Sequence, residues 1–164
     1  MYCKFKTIKY HFKLDFSTGD IITPKQKELM IPLYFTDNSI ELFAYPVETI
    51  LSEKVETILS RNIANTRMKD FYDVYILAIR FGKAINKKLL KEATINTIKY
   101  RGTLFLLEEF KELYLKIVDS EELKFLWIKY TSEYEFAKGI QYKSVMAQLK
   151  ELLNMSLNPI KTSS

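Results

Sequence analysis

A helical spacing of apolar side chains, beginning directly after Pro46, constrains the fold of this chain more than any other feature. In the segment "VETILSEKVETILSR", apolar residues recur every three or four positions, as on the buried face of an α-helix. They are Val47, Ile50, Leu51, Val55, Ile58 and Leu59. Similar spacing predicts further helices at residues 69–81, 86–98, 103–118, 120–130 and 142–154.

The first 46 residues have the pattern of β-strands instead. Apolar and polar side chains alternate in "KYHFKLDF", and "MIPLYF" and "SIELFAY" flank the turn-forming residues "TDNS". We therefore predict an α+β fold, with a small mixed or antiparallel sheet over residues 1–46 and a larger helical lobe over residues 47–158. Gly and Pro number only four each, and no linker separates the two regions, so we expect no independent domain boundary.

Composition narrows the classes of protein that the chain can represent. A single cysteine, Cys3, allows no intrachain disulfide, and no apolar run approaches the roughly 18 residues of a membrane span. The basic, alternating start does not resemble a signal peptide, so we expect a cytoplasmic protein. The net charge of +5 is compatible with RNA or a nucleotide as partner. Lysine-rich compositions are also common where genomes are AT-rich, which explains the charge without such a partner.

Ionisable side chains interrupt the apolar pattern in three segments. Lys54 and Arg61 fall on the inward face of the first helix, Asp70 falls on that of the next, and Asp15 lies on a strand. An unpaired buried charge would cost several kcal/mol. Each of these charges also has a purely structural explanation. Lys54 would extend its ammonium to water, Asp70 would pair with Lys54 or Arg61, and Asp15 would be exposed on its strand. A functional site is the other explanation, because partly buried charges cluster at such sites.

Aromatic residues fit two uses that the sequence does not separate. Tyr72, Tyr75 and the aromatic, basic segment at residues 123–142 could stack on nucleic-acid bases. Packing between helices explains the same residues and is the simpler interpretation. The sequence contains no phosphate-binding loop of the GxxxxGKS or GxGxxG type, and its one histidine, His11, cannot build a zinc site with Cys3 alone.

Three stretches together resemble a known family: "FKLDFSTGDIITP", "AYPVETILSEKVETILSRNIANTRMKDFYDVYIL" and "YEFAKGIQYKSVMAQL". They are similar to the AbiEii/AbiGii toxins, over residues 12–149. The resemblance implies a nucleotidyltransferase fold in a toxin–antitoxin or phage abortive-infection system. It also implies an NTP and Mg²⁺ as ligands, tRNA as an acceptor and a cognate antitoxin as partner.

The resemblance implies roles for individual residues. Three positions match the catalytic residues of the family: Asp15, Lys54 and Asp70. Asp15 would also be the metal ligand. Five positions would contact the nucleotide: Lys54, Arg61, Arg67, Lys69 and Asp73.

One departure from the family concerns the metal. The family has a Gly-Ser turn and a D-x-D carboxylate pair ahead of the position of Asp15, whereas no Asp or Glu precedes Asp15 in this sequence. Two-metal phosphoryl transfer needs several carboxylates. We therefore expect an N-terminally truncated member that is impaired when alone. The alternative is a non-catalytic remnant that binds nucleotide, tRNA or protein, with a homodimer through an exposed sheet edge near residues 8–16.

Overall fold

Two antiparallel hairpins precede the helices. The structure, a computed structural model, describes residues 2–5, 8–11 and 21–158. Strand β1 (Tyr2–Phe5) pairs with β2 (Ile8–His11), and β3 (Lys27–Pro32) pairs with β4 (Ser39–Ala44). The predicted α+β class and antiparallel pairing are confirmed, but the described strands form two separate two-stranded sheets and not one. The rest of the predicted first strand, with Asp15 and the turn "STGD", lies outside the described residues.

The β3–β4 hairpin has both of its faces in solvent. Every residue of β3 is exposed, and in β4 only Ala44 is partly covered. The connecting loop carries Tyr34 and Phe35, which are 98% and 99% exposed. Apolar pairs such as Leu29 opposite Leu42 hold the register of the strands. The hairpin therefore contributes very little to the hydrophobic core of the helical region.

Six α-helices follow: α1 (Val47–Arg61), α2 (Met68–Phe81), α3 (Lys87–Arg101), α4 (Leu106–Asp119), α5 (Glu121–Glu133) and α6 (Tyr142–Ser156). Their caps follow from the sequence. Ser120 accepts a hydrogen bond from the Leu123 N–H at the start of α5, as its position before two glutamates predicts. Gly102 ends α3 with φ of 71°, a conformation that glycine adopts without strain. None of the described helices has both the length and the apolarity to cross a membrane.

The core lies entirely among the helices. Helix α1 contacts α2, α3 and α4, and α6 packs against α2 and α3. The predicted inward face of α1 is confirmed, since Leu51, Val55, Ile58 and Leu59 are at most 1% exposed. Trp127 of α5 is also buried, and its indole N–H donates to the carbonyl of Ile140 at 2.8 Å. This core positions α1 beside α2, where the candidate site lies.

Buried polar contacts fix α1 against α3 on the opposite side from α2. The Glu56 carboxylate is 3% exposed and accepts hydrogen bonds from the Arg101 guanidinium at 2.6 Å and the Thr103 hydroxyl at 3.1 Å. Glu48, in the first turn of α1, accepts from the Asn86 N–H at 3.0 Å. Arg101 compensates the charge of Glu56, and Glu48 gains a hydrogen bond and the positive end of the helix dipole.

Candidate functional site

Lys54 projects from α1 toward α2 and stands at the centre of a group of charged side chains. Its Nζ donates a hydrogen bond to Oδ1 of Asp70 at 2.5 Å and lies 3.1 Å from Oδ2 of Asp73. The side chain of Lys54 is 23% exposed, whereas that of Asp70 is 2% exposed. The lysine stem is thus largely covered between the helices while its ammonium bridges two carboxylates of α2.

Two further cations complete the group. Nε of Arg67 lies 3.6 Å from Oδ2 of Asp70, and Nζ of Lys69 donates to Oδ2 of Asp73 at 2.9 Å. The side chains of Arg67 and Lys69 are 59% and 71% exposed, so both reach solvent. We call Lys54, Arg67, Lys69, Asp70 and Asp73 the charged cluster. Three cations surround two carboxylates, which gives the charged cluster a net charge of +1.

The chain between α1 and α2 places Asp70 in the first turn of α2. Asn62 ends α1 with φ of 48°, and a short 3-10 turn at Asn62–Ala64 redirects the chain. The buried side chain of Asn65 then accepts a hydrogen bond from the Arg67 N–H at 3.0 Å. Asn65 thus holds the residue that precedes α2, although α2 itself has no side-chain cap. A carboxylate in the first turn also interacts favourably with the positive end of the helix dipole.

The electrostatics of Lys54 favour its charged form. Burial of the ammonium opposes the charge, but the hydrogen bonds and charges of Asp70 and Asp73 outweigh burial and raise the pKa of Lys54 above its ordinary value. An ammonium has three N–H donors, and two of them are used by these carboxylates. Among the described residues no third acceptor contacts Lys54, so an anion approaching from the exposed side of the charged cluster can accept from the remaining N–H.

Asp70 is also not fully satisfied by its protein partners. Its Oδ2 is buried and accepts no hydrogen bond within the described part of the chain, and the Nδ2 of Asn65 similarly has no acceptor there. Nε of Arg67 lies 3.6 Å from Oδ2, too far for a hydrogen bond. A buried polar atom without a hydrogen bond is uncommon in native proteins and often marks a functional position.

The structure brings together most of the residues that the sequence nominated. Asp70 faces inward as predicted, and it pairs with Lys54, the contact that the structural explanation named as one of two options; Arg67, Lys69 and Asp73 lie beside them. Their catalytic and nucleotide-binding roles stay predictions.

Arg61 does not join this group. The expectation that Arg61 points inward along the line of Lys54 is wrong, because the side chain is exposed in the last turn of α1. Other side chains of the same turn are buried, since Ile58 and Leu59 are 0% exposed, so the exposed side of this turn is the one that carries Arg61. Asp15, the proposed metal ligand, lies outside the described residues.

The charged cluster does not fit a Mg²⁺ site. Mg²⁺ prefers free carboxylate and water oxygens in an octahedral arrangement, whereas the carboxylates of Asp70 and Asp73 already face three cationic side chains. Within residues 21–158 and the two short strands before them, no group of three acidic, cysteine or histidine side chains could hold a metal ion. A net positive group suits the phosphates of a nucleotide better.

One ion pair went unpredicted. Arg101 of α3 and Glu56 of α1 form a partly buried pair, and the only signal in the sequence was that Glu56 follows Val55 on the inward side of α1. Its place between two helices away from the charged cluster indicates a structural role.

Comparison with known proteins identifies the family of this chain. The model of one protein family, described as the nucleotidyl transferase AbiEii toxin of type IV toxin–antitoxin systems, matches residues 4–148. The chain belongs to the AbiEii family. The match covers the hairpins, α1 to α5 and the first half of α6, and with them every residue of the charged cluster. No curated protein and no solved structure matches the chain.

Membership of the AbiEii family confirms the resemblance that the sequence indicated. The chain is a nucleotidyltransferase-like toxin-family protein of a toxin–antitoxin system, and the family implies a cognate antitoxin as partner.

Proposed function

We propose that the charged cluster binds the phosphates of an NTP whose nucleotidyl group is transferred to an acceptor such as tRNA. The observation that carries this proposal is the position of Lys54 between two carboxylates of α2, with no third acceptor on Lys54 among the described residues. Charge-assisted hydrogen bonds from lysine and arginine to phosphate are among the strongest in proteins. Family membership supports nucleotidyl transfer as the reaction class.

Each member of the charged cluster has a distinct part in this proposal. Lys54 donates to a phosphate oxygen, while Asp70 and Asp73 hold its ammonium in position and keep it charged. Arg67 and Lys69 are the exposed cations, and they contact the outer phosphates. The arginine guanidinium can form a two-pronged contact with a phosphate, whereas a lysine acts as a point charge.

The sequence offers few carboxylates to bind the metal ions of the reaction. Asp15 is the single candidate ligand that the family resemblance provides, and residues 1–14 contain no Asp or Glu. Holding the cations of phosphoryl transfer takes several carboxylates. We therefore expect the 164-residue chain to bind an NTP more readily than it transfers a nucleotidyl group.

Two assays test the proposal. In the first, calorimetry measures binding of ATP and of inorganic tripolyphosphate. We expect Arg67→Met and Lys69→Met each to weaken both ligands about 5- to 10-fold, because each variant loses one charge-assisted phosphate contact. Both side chains are largely exposed, so folding is preserved. The matched control is Lys88→Met, an exposed lysine at the start of α3 that pairs with none of the charged cluster. Binding that is as strong in the two variants as in the control would refute the assignment.

The second assay addresses transfer. The chain is incubated with Mg²⁺, labelled NTPs and total tRNA, and label on tRNA is counted. Little transfer despite clear NTP binding is the expected result. Robust transfer would overturn the expected impairment while leaving the phosphate assignment intact, and Lys54→Met should then abolish it.

A non-catalytic binding protein is the second candidate, and the cation-filled surroundings of Asp70 and Asp73 favour it. It would bind nucleotide or tRNA and transfer nothing under any metal supplied. A homodimer through a sheet edge belongs to the same candidate, and sedimentation equilibrium with and without tRNA distinguishes self-association from RNA binding.

A further inference from the structure

A cluster of five aromatic rings joins the end of α5 to α2. Tyr72 lies on α2, Trp127 and Tyr130 on α5, and Tyr134 and Phe136 in the turn that follows α5. The ring of Tyr72 is 5.0 Å from that of Phe136 and 6.2 Å from that of Tyr130. Tyr134 in turn lies 4.8 Å from Tyr130 and 5.3 Å from Phe136. We call these five residues the aromatic cluster.

The aromatic cluster borders the charged cluster through α2. Lys69, Tyr72 and Asp73 occupy positions i, i+3 and i+4, which share one face of a helix. Asp73 contacts Lys54, and Tyr72 contacts Phe136. The charge of Asp73 also acts on the Tyr130 hydroxyl, since burial first and Asp73 second raise the pKa of Tyr130 to about 12. The proposed phosphate site and the rings therefore share one face of α2.

Exposure divides the aromatic cluster into an inner and an outer part. Trp127 is 1% exposed, and Tyr72 and Tyr130 are partly covered, as expected of rings that fill the space between helices. Phe136 is 59% exposed and Tyr134 is 40% exposed. Packing between helices explains the inner rings. It does not explain why two more apolar rings extend the cluster into solvent beside a positively charged group.

We propose that Phe136 and Tyr134 form a stacking surface for the base of the nucleotide whose phosphates the charged cluster binds. The inference rests on the proposed function. Rings that are held by neighbouring rings need little ordering when a base stacks on them, and every base offers a π-face. The site therefore takes nucleoside triphosphates as a class and discriminates weakly between the four bases.

The test compares ATP with inorganic tripolyphosphate, which has the phosphates without the base. Phe136→Leu keeps an apolar side chain but removes the ring, and Phe136→Trp keeps a ring. We expect Phe136→Leu to weaken ATP about tenfold, the size of one lost stacking contact, and to leave tripolyphosphate binding unchanged. Phe136→Trp should bind ATP as the wild type does. The matched control is Phe125→Leu, since Phe125 is 67% exposed on α5 and lies outside the aromatic cluster.

Each outcome separates this inference from the proposed function. Equal weakening of ATP and tripolyphosphate would mean that Phe136 acts by supporting the fold, and would overturn the stacking surface. Unchanged ATP affinity in Phe136→Leu, or equal affinity of the wild type for both ligands, would also overturn it while leaving phosphate binding intact. A wild type that binds neither ligand would refute both proposals.

Discussion

Removing Lys54 from its pair with Asp70 should lower the free energy of unfolding more than removing the charge of Asp70. Lys54→Met takes away the one hydrogen-bond donor that the described residues offer to a carboxylate that is 2% exposed, and leaves Arg67 3.6 Å from it. Removing one partner of a buried pair costs about 3 to 5 kcal/mol. Arg67 compensates in part, so we expect the free energy of unfolding to fall by about 3 kcal/mol.

Removing the carboxylate should be less harmful. In Asp70→Asn, Lys54 keeps Asp73 at 3.1 Å, and its side chain is 23% exposed to water. The expected loss is about 1 kcal/mol, the size of one hydrogen bond. The double variant Lys54→Met/Asp70→Leu leaves no buried charge at this position. It should recover to within about 1 kcal/mol of the wild type.

Urea unfolding followed by far-ultraviolet circular dichroism measures these differences by linear extrapolation. The control is Lys69→Met, which breaks an exposed pair and should change the free energy by less than about 0.5 kcal/mol. A Lys54→Met variant within 1 kcal/mol of the wild type, or a double variant whose loss equals the sum of the single losses, would refute the reasoning. The double variant should fold without binding tripolyphosphate, which separates the stabilising part of the pair from its proposed ligand.

Three other results are expected from the same contacts. Arg101→Met leaves the 3%-exposed Glu56 carboxylate without its cation and should lower the free energy of unfolding by about 2 to 3 kcal/mol in the same urea assay. Asn86→Ala removes the side chain that caps α3 and should cost about 1 kcal/mol, with Asn86→Asp as a variant that restores the cap. The folded state holds the protons of Lys54 and Tyr130 more tightly than the unfolded state, because the pKa of each is raised. The contribution of these two groups to the free energy of unfolding is therefore complete below about pH 10 and should be lost as the pH rises above it. Urea midpoints at about pH 9 and about pH 11 measure this loss.

The helices could be predicted from the sequence because apolar residues at every third or fourth position form one stripe along a helix, and that stripe is buried against another surface. Their ends could be predicted less well. Helix α3 was expected to stop near residue 98, but it continues to Arg101. The guanidinium of Arg101 bonds to Glu56 of α1, and a contact between two helices leaves no trace in the local pattern of either one.

The same limit applies to the charged cluster. Lys54 and Asp70 stood out because each interrupts an apolar face, but the cost of burying a lone charge left the partner of Asp70 open between Lys54 and Arg61. That Lys54 also reaches Asp73 depends on the separation of α1 from α2, which no single segment encodes. Arg61 has the same spacing signal as Lys54, yet it is exposed in a turn whose apolar residues Ile58 and Leu59 are buried, so spacing alone does not separate the two cations.

The exposed β3–β4 hairpin has a consequence for how the chain is cut. Chymotrypsin cleaves after aromatic residues in accessible loops, and the loop between the two strands carries Tyr34 and Phe35 almost wholly in water. Cleavage in this loop would leave the buried side chains of α1 to α6 in place, since the exposed hairpin buries very little of their surface. The enzyme should therefore release a resistant helical fragment that still contains Lys54 and Asp70.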